Sequence, residues 1–593
     1  MKFWQKYRLF CLFFLAGLIV SCANQGELSG GEKDNDAPVI VESFPKNNST
    51  NFAEKSIQLT FNEFVKLNNI NQQLLISPPL EEKPEFKLRG KNIIIQFKDS
   101  LKPNTTYSMF FGDAIVDITE ANPISGFNYV FSTGNEIDSL RIKGQIKDAF
   151  TLEPAADVFV MLYRNHSDTA PMRSLPDYIT KTRKDGVFTL NNLSSGNYKI
   201  FALQDANNNY KFDQPTEGIA FLDSLIIPHI SSETKLDTLY QSNPDTTIKE
   251  KIIDTIINRE YNKFLPDNLY LKLFTEDHKK QSISKKTRTL KHYAEVIFSK
   301  PNYGHLVFYG LNFKLDSNQY LVEKSKLSDS LTFWFTDFLL IKKDSLGLIF
   351  EYEQKDSLEN ISIEKDTTFL VYKKPADKKK KDEIEAKPVI KVEIKLQQGV
   401  QHFGKPLIIE ASSPVMSVNL DKIRLLVEED TTKKACVFSL EKDPENPRKF
   451  SINYKWEENA RYFIYFDSLA FIDYYSIPCD SSEFTFNTKT TEDYGTLILN
   501  VRGIKESVII QMLDKTKKNV IREFYLEKNK KMKFVQMQAQ ELNFRAIIDE
   551  NKNKRYDTGR FIFKRQAENV IYFSKTVIIK NNWEIEEDWN IEE

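Results

Sequence analysis

The chain has 593 residues, far more than one hydrophobic core can use, and this length predicts roughly four or five domains. Its 82 Lys and Arg against 83 Asp and Glu leave a formal charge of −1, which excludes a global electrostatic attraction for nucleic acid. With 44 Phe and 25 Tyr the composition leans to strands, and the expected fold class is all-β, a series of tandem β-sandwich domains.

In chain order, Lys2, Lys6 and Arg8 precede the apolar run Leu9 to Val20, which ends at Ser21-Cys22. About a dozen apolar residues are too few to span a bilayer and have the layout of a cleavable export signal. Residues 1–21 resemble a bacterial lipoprotein signal peptide, with Ile19 where a leucine is commonest. That resemblance implies cleavage before Cys22, a lipid on its thiol, and anchoring to the outer membrane. Glu27, Glu32, Asp34 and Asp36 follow within residues 22–36, a polar segment with almost nothing to bury that reads as a flexible tether, and acids after the cysteine, as in surface lipoproteins of some Gram-negative lineages, permit display on the cell surface.

From residue 37 to 134 short alternating runs are separated by turn signals. Ile57, Leu59 and Phe61 fall on one face of a strand, as do Ile93, Ile95 and Phe97. Asn47 to Thr50 and Lys102-Pro103-Asn104 break the runs as loops. The order Ala37-Pro38-Val39, Ser43-Phe44-Pro45-Lys46-Asn47, Ile57 to Val65, Leu101 to Tyr107, Asp117 and Phe131-Ser132-Thr133-Gly134 resembles a bacterial Ig-like domain of the S-layer SbsA type. The resemblance implies a non-catalytic sandwich of a cell-surface protein. Residues 138–240 form a second unit, in which Val158, Val160 and Leu162 alternate and Lys184-Asp185-Gly186 marks a tight turn. Followed by Val187 to Leu190 and Asn191 to Leu203, they resemble the transthyretin-like, or carboxypeptidase-regulatory-like, modules of exported bacterial proteins.

A further β domain is expected over 263–372, after a polar stretch from Gln241 to Asn262. Lys373 to Pro388 reads as a charged linker, because dense mixed charge with prolines cannot build a core. Residues 389–490 read as a second Ig-like domain and 494–593 as a C-terminal β domain. In the latter, Asn569 to Ile579 is the expected final strand before an acidic tail from Glu584.

Chemistry is concentrated in a partial internal repeat. Asp205, Asn207, Asn209 and Asp213 recur at the same spacing as Asp549, Asn551, Asn553 and Asp557. Oxygen side chains at positions one, three, five and nine of a tight loop are the spacing by which calcium loops gather ligands, so calcium is the one cofactor the sequence suggests. Both copies lack the glycine at position six and a bidentate glutamate at position twelve, although Glu217 lies one place later. The competing reading is an Asx-rich turn whose side chains bond their own backbone. The repeat also suggests that the second and fifth units share a fold.

Asp-Ser-Leu occurs seven times, offering Ser100, Ser139, Ser224, Ser330, Ser345, Ser357 and Ser468. The tripeptide is turn punctuation, and it also resembles the acceptor of general O-glycosylation in some Gram-negative envelopes. Once the signal is removed, Cys436 and Cys479 are the thiols left besides Cys22; in an oxidising compartment they are candidates for a disulfide, the alternative being two separately buried thiols. The histidines, His166, His229, His278, His292, His305 and His402, show no metal-ligand spacing, and neither a Gly-x-Ser-x-Gly elbow nor a phosphate loop appears. No catalytic residue is predicted and the chain is not expected to be an enzyme. The function expected is a lipid-anchored envelope spacer or binding scaffold with an envelope protein or polysaccharide as partner. The alternative is a carbohydrate- or protein-binding lipoprotein accessory to a transporter or enzyme complex.

Overall fold

Strand alternation builds the first sandwich as the sequence predicts. In Ser56–Phe61 every second side chain is buried, and Ile57, Leu59 and Phe61 meet Ile93, Ile95, Tyr107, Met109, Tyr129 and Phe131 in one core. The computed structural model describes residues 34–240, 253–356, 358–374, 388–396, 399–402, 404–430 and 432–592. Cys22, most of the 22–36 tether, the body of the 373–388 linker and Ser357 lie outside them. Among the described residues no helix is long and apolar enough to cross a membrane. The chain divides into two compact units, Met1–Asp148 with Glu153–Leu273, and Ala149–Leu152 with Phe274–Glu593.

In the first unit, Ile40–Phe44, Ser56–Phe61, Asn92–Gln96 and Glu85–Arg89 lie side by side, facing a sheet of Leu75–Ser77, Thr106–Phe110 and Asn128–Ser132. Val65–Leu67 pairs with Ile115–Asp117 at one end. There Asp117 is buried, and its carboxylate accepts the backbone N–H groups of Glu120, Ala121 and Asn122, closing the turn that follows the strand. Burial alone would raise this carboxyl, yet those three N–H groups and the Thr119 hydroxyl hold it below the usual carboxylate range.

The second sandwich has Tyr178–Lys181, Phe159–Tyr163, Lys199–Gln204 and Gly218–Phe221 in one run, and Leu269–Thr275, Leu140–Asp148 and Val187–Leu193 in the other. Leu269–Thr275, which the sequence reading assigns to the third region, therefore completes the second: it pairs parallel with Leu140–Asp148, Gly144 opposite Leu269. A β-carbon on Gly144 would stand 2.5 Å from the Leu269 carbonyl oxygen, so the ladder needs a glycine at this position. His229–Tyr240, which the sequence reading puts in the second sandwich, instead pairs with Ile253–Leu265 as a separate two-stranded ribbon, and most of the latter lies in the expected polar stretch.

The second unit holds three sandwiches. Residues 283–371 put Ile283–Leu290, Tyr293–Phe298, Ser330–Phe335 and Tyr320–Lys324 over Leu306–Gly310, Ser345–Lys355 and Ile361–Val371, around Phe298, Phe333 and Phe350. The next packs the Leu407–Ala411 sheet on the Arg461–Phe466 sheet around Trp456, Tyr462 and Phe486. It repeats the end device of the first sandwich: Val415–Val418 pairs with Phe471–Asp473, and buried Asp473 accepts the N–H groups of Tyr475 and Ile477. The last sandwich repeats the strand order of the second. Val520–Leu526, Val508–Leu513, Gln540–Ile548 and Val570–Tyr572 form one run, and Glu584–Asn590, Gly495–Arg502 and Lys530–Met537 the other.

Glu584–Asn590 is thus a strand and not a tail. It pairs parallel with Gly495–Arg502 and buries Trp589. Its outward acids meet cations of the same face: Glu584 with Lys533 at 2.9 Å, Glu586 with Lys531 at 2.6 Å, and Asp588 with Arg502 at 3.1 Å.

The three sandwiches of the second unit also grip one another. Arg448 of the fourth reaches Glu323 of the third (2.7 and 2.9 Å), and the Tyr475 ring lies 4.2 Å from His292. Buried His402 of the fourth bonds the Tyr494 hydroxyl and Gln538 of the fifth. Arg565 of the fifth chelates Glu359 of the third (3.1 and 2.6 Å), and Arg555 lies 4.8 Å over Tyr303. Each of these three sandwiches therefore touches the other two, which a series of tandem domains does not by itself imply.

Candidate functional site

The two copies of the repeated loop follow equivalent strands, Lys199–Gln204 and Gln540–Ile548, and fold alike. In the first, the Asp205 carboxylate accepts the backbone N–H groups of Asn207, Asn208 and Tyr210 at 3.0, 2.6 and 2.7 Å. The amide oxygen of Asn207 accepts from the N–H of Asn209, and that of Asn209 from the N–H of Lys211. Both amide nitrogens then point at Asp213, at 3.2 and 2.6 Å. Each asparagine is therefore fixed at both ends, and neither oxygen is free to turn towards a cation. Asn208 and Tyr210 sit in left-handed backbone, φ 58° and 60°, which asparagine tolerates and tyrosine seldom adopts.

The second copy repeats this pattern. Asp549 accepts from the N–H groups of Asn553 and Lys554, and the amide nitrogens of Asn551 and Asn553 both donate to Asp557. Lys552 and Lys554 hold the two left-handed positions, φ 61° and 63°.

Each loop is closed by one buried glutamate. Glu217 accepts the N–H groups of Ala206, Asp213 and Gln214, and Glu568 those of Glu550 and Asp557. Glu568 escapes the sequence repeat because it comes from further along the chain than Glu217 does. A carboxylate eight positions into each loop, with a glutamate further on, is the available signal, but the glutamate follows at no fixed spacing.

These bonds are those of the Asx-turn reading rather than of a calcium loop. Among the described residues no three His, Cys, Asp or Glu side chains converge as a metal centre, and the loop oxygens accept from backbone N–H groups and asparagine amides. Burial, with the Asp557 and Asp549 charges adding to it, pushes the Glu568 carboxyl up to about 7. The folded fifth sandwich therefore holds a proton that its unfolded chain has lost. The Glu568 contribution to stability is full below pH 4.5 and is lost, by up to about 3 kcal/mol, as pH rises through 7. Calorimetry at pH 5 and pH 7.5, with calcium or with chelator, checks both statements. The fifth-sandwich transition is expected to fall between the two pH values and to stay within about 1 °C on adding calcium, whereas a rise of several degrees restores the cation reading.

The two cysteines are free thiols, which corrects the Cys436–Cys479 disulfide. Cys436 follows the Thr432–Ala435 strand and donates its N–H to Leu425, whereas Cys479 bonds Phe471 and bridges Ile390. Membership of one core does not bring their sulfurs together, because each is tied to a different ladder. Of the Asp-Ser-Leu serines, Ser100, Ser139, Ser224, Ser345 and Ser468 are exposed and Ser330 is half-buried at the start of its strand. Their aspartates serve as local fasteners: Asp99 accepts the Glu82 N–H, Asp344 pairs with Lys291, and Asp467 with Arg424.

Residues 34–133 match the bacterial Ig-like domain model. The Ig-like domain is the first sandwich and takes up well under half of the chain. No curated protein matches the chain. Among solved structures, it is similar to BcpA, the major pilin subunit of Bacillus cereus, at 10% identity over 76% of this chain and 99% of that one, with a TM-score of 0.16. Domains 1–6 of the surface layer protein SbsC give 9% identity over 91% and 67%, with a TM-score of 0.14. The mixed-linkage glucan utilization protein SGBP-B of Bacteroides ovatus gives 8% over 75% and 95%, with a TM-score of 0.16. At such scores nothing about function passes from these proteins to this one.

Proposed function

We propose that the protein is a non-catalytic, lipid-anchored scaffold of the bacterial cell envelope, held at the outer membrane through Cys22. The observation that carries this reading is the use made of buried polar groups. Asp117, Asp473, Glu217 and Glu568 each close a loop, and Glu323 and His402 each join two sandwiches, so the polar interior is committed to shape. The Ig-like domain directly after the tether supports a role at the surface. A carbohydrate- or protein-binding accessory lipoprotein is the second reading, favoured by an open groove in the first unit.

Cell fractionation of wild type and Cys22→Ser tests the anchor. Wild-type protein is expected in the membrane pellet, cut by protease added to intact cells, with an intact mass that exceeds polypeptide plus lipid by glycans on the Asp-Ser-Leu serines. Cys22→Ser is expected in the soluble fraction. A variant that stays in the pellet overturns the anchor, protection until the outer membrane is broken overturns surface display, and a bare lipidated mass ends the glycan.

A further inference from the structure

The first repeated loop borders an open groove of the first unit, about 1170 Å³. Its floor comes from the Ig-like domain, where Leu74, Leu80 and Phe86 are half-buried around the core rather than inside it. The opposite wall comes from the second sandwich, the turn at 173–175 and the repeated loop at 208–213. This volume exceeds the roughly 300–1,000 Å³ of small-molecule sites, so the groove suits an extended oligomer.

The charged groups of the groove are unequally occupied. Asp99 is bonded to the Glu82 N–H and Asp213 to the two asparagine amides, and Lys83 donates to the Asn71 carbonyl. The charged ends of Lys102, Arg173 and Lys211, which also line it, have no such partner among the described residues. Three free cations therefore face the single free carboxylate of Glu81. Beside them, Tyr210 is held in its left-handed conformation by Asp205, with its ring edge-on to Phe159 at 5.0 Å. Strain of this kind at a bulky residue persists only where the surroundings impose it. Ser100, Ser174, Asn71 and Asn208 add hydroxyl and amide groups that both donate and accept.

The fifth sandwich shows what this loop face does when a partner is present. Arg555, at the repeat position of Lys211, lies over the Tyr303 ring, and Tyr556, at that of Phe212, packs on Phe150 at 4.5 Å. In the first loop Phe212 is likewise buried, whereas Lys211 lines the open groove.

We propose that this groove binds an oligosaccharide of hexuronic acids, with Lys211, Arg173 and Lys102 on the carboxylates and the Phe86 and Tyr210 rings against the sugar faces. Cations alone suit any polyanion, but two aromatic rings beside two-way hydrogen-bonding groups match a polyol whose faces are apolar and whose rim is hydroxylated. The proposal deepens the binding reading above and does not depend on the anchor, since it is tested on purified protein.

Isothermal titration of the full chain with tetragalacturonate and with tetramannuronate tests it, beside maltotetraose and hexaglutamate. At least one uronate is expected to bind, more weakly as salt rises, and maltotetraose is not. The double variant Arg173→Ala/Lys211→Ala is expected to lose tenfold or more in affinity with its thermal transition unchanged, and Lys528→Ala, an exposed cation elsewhere, to lose nothing. The proposal is overturned if neither uronate binds at millimolar concentration, if maltotetraose binds as well, if hexaglutamate binds more tightly, or if the folded double variant binds like wild type.

Discussion

Replacing Trp589 by alanine is expected to lower the fifth-sandwich transition by about 15 °C or more. The side chain is 4% exposed, sits 5.5 Å from the Phe573 ring, and belongs to a core with Leu499, Val501, Phe534 and Phe544. Truncating a buried tryptophan costs ~3–5 kcal/mol, and a domain of this size shifts by about 4–8 °C for each. That is a large part of the ~5–15 kcal/mol by which domains are stable. The neighbouring Asp588→Ala removes only an exposed pair with Arg502 and is expected to leave the transition in place. Differential scanning calorimetry distinguishes the two variants. An unchanged transition for Trp589→Ala would mean that the 584–590 strand lies outside the cooperative core.

The same strand shows where the sequence was legible and where it was not. Ile57-Gln58-Leu59-Thr60-Phe61 announces its pleat because the outward positions are neutral and the inward ones large. In Glu584–Asn590 the inward set is broken by half-buried Glu587, which Lys575 pairs at 3.1 Å, so charge hides the period of two. Leu269–Thr275 was assigned to the wrong sandwich for a different reason. Its ladder partner Leu140–Asp148 is far away in sequence, and a parallel pairing leaves no turn signal between them. The repeated loop was visible through Asp205 to Asp213, but its closing glutamate was not, since Glu568 arrives only after the intervening segment that docks on Glu276. Cys436 and Cys479 could be placed in one domain without any indication that they sit on different ladders.

The contacts that close the second unit left no sequence signal at all, and they carry the other large effect. Glu323 is 8% exposed and accepts from Trp334 Nε1 at 2.8 Å as well as from Arg448, which in turn reaches Glu410 at 3.1 Å and lies 5.7 Å over the Trp334 ring. The Glu323 carboxylate beside it holds the Arg448 guanidinium above its ordinary value. Removing one member of a buried pair strands the other, at a cost of about 3–5 kcal/mol, whereas replacing both by apolar groups of similar size is often neutral. Arg448→Ala is therefore expected to destabilise the junction strongly and Glu323→Leu/Arg448→Met to recover much of the loss. A double-mutant cycle on Glu323→Ala and Arg448→Ala should give a coupling of at least about 1.5 kcal/mol, as close charge pairs at interfaces do. Small-angle scattering supplies the geometric readout, because loosening this junction opens one side of a block held by three contacts. Scattering that stays at the wild-type profile, with coupling near zero, would show that the third and fourth sandwiches hold their places without the pair, leaving the tilted His292–Tyr475 ring contact to fix them.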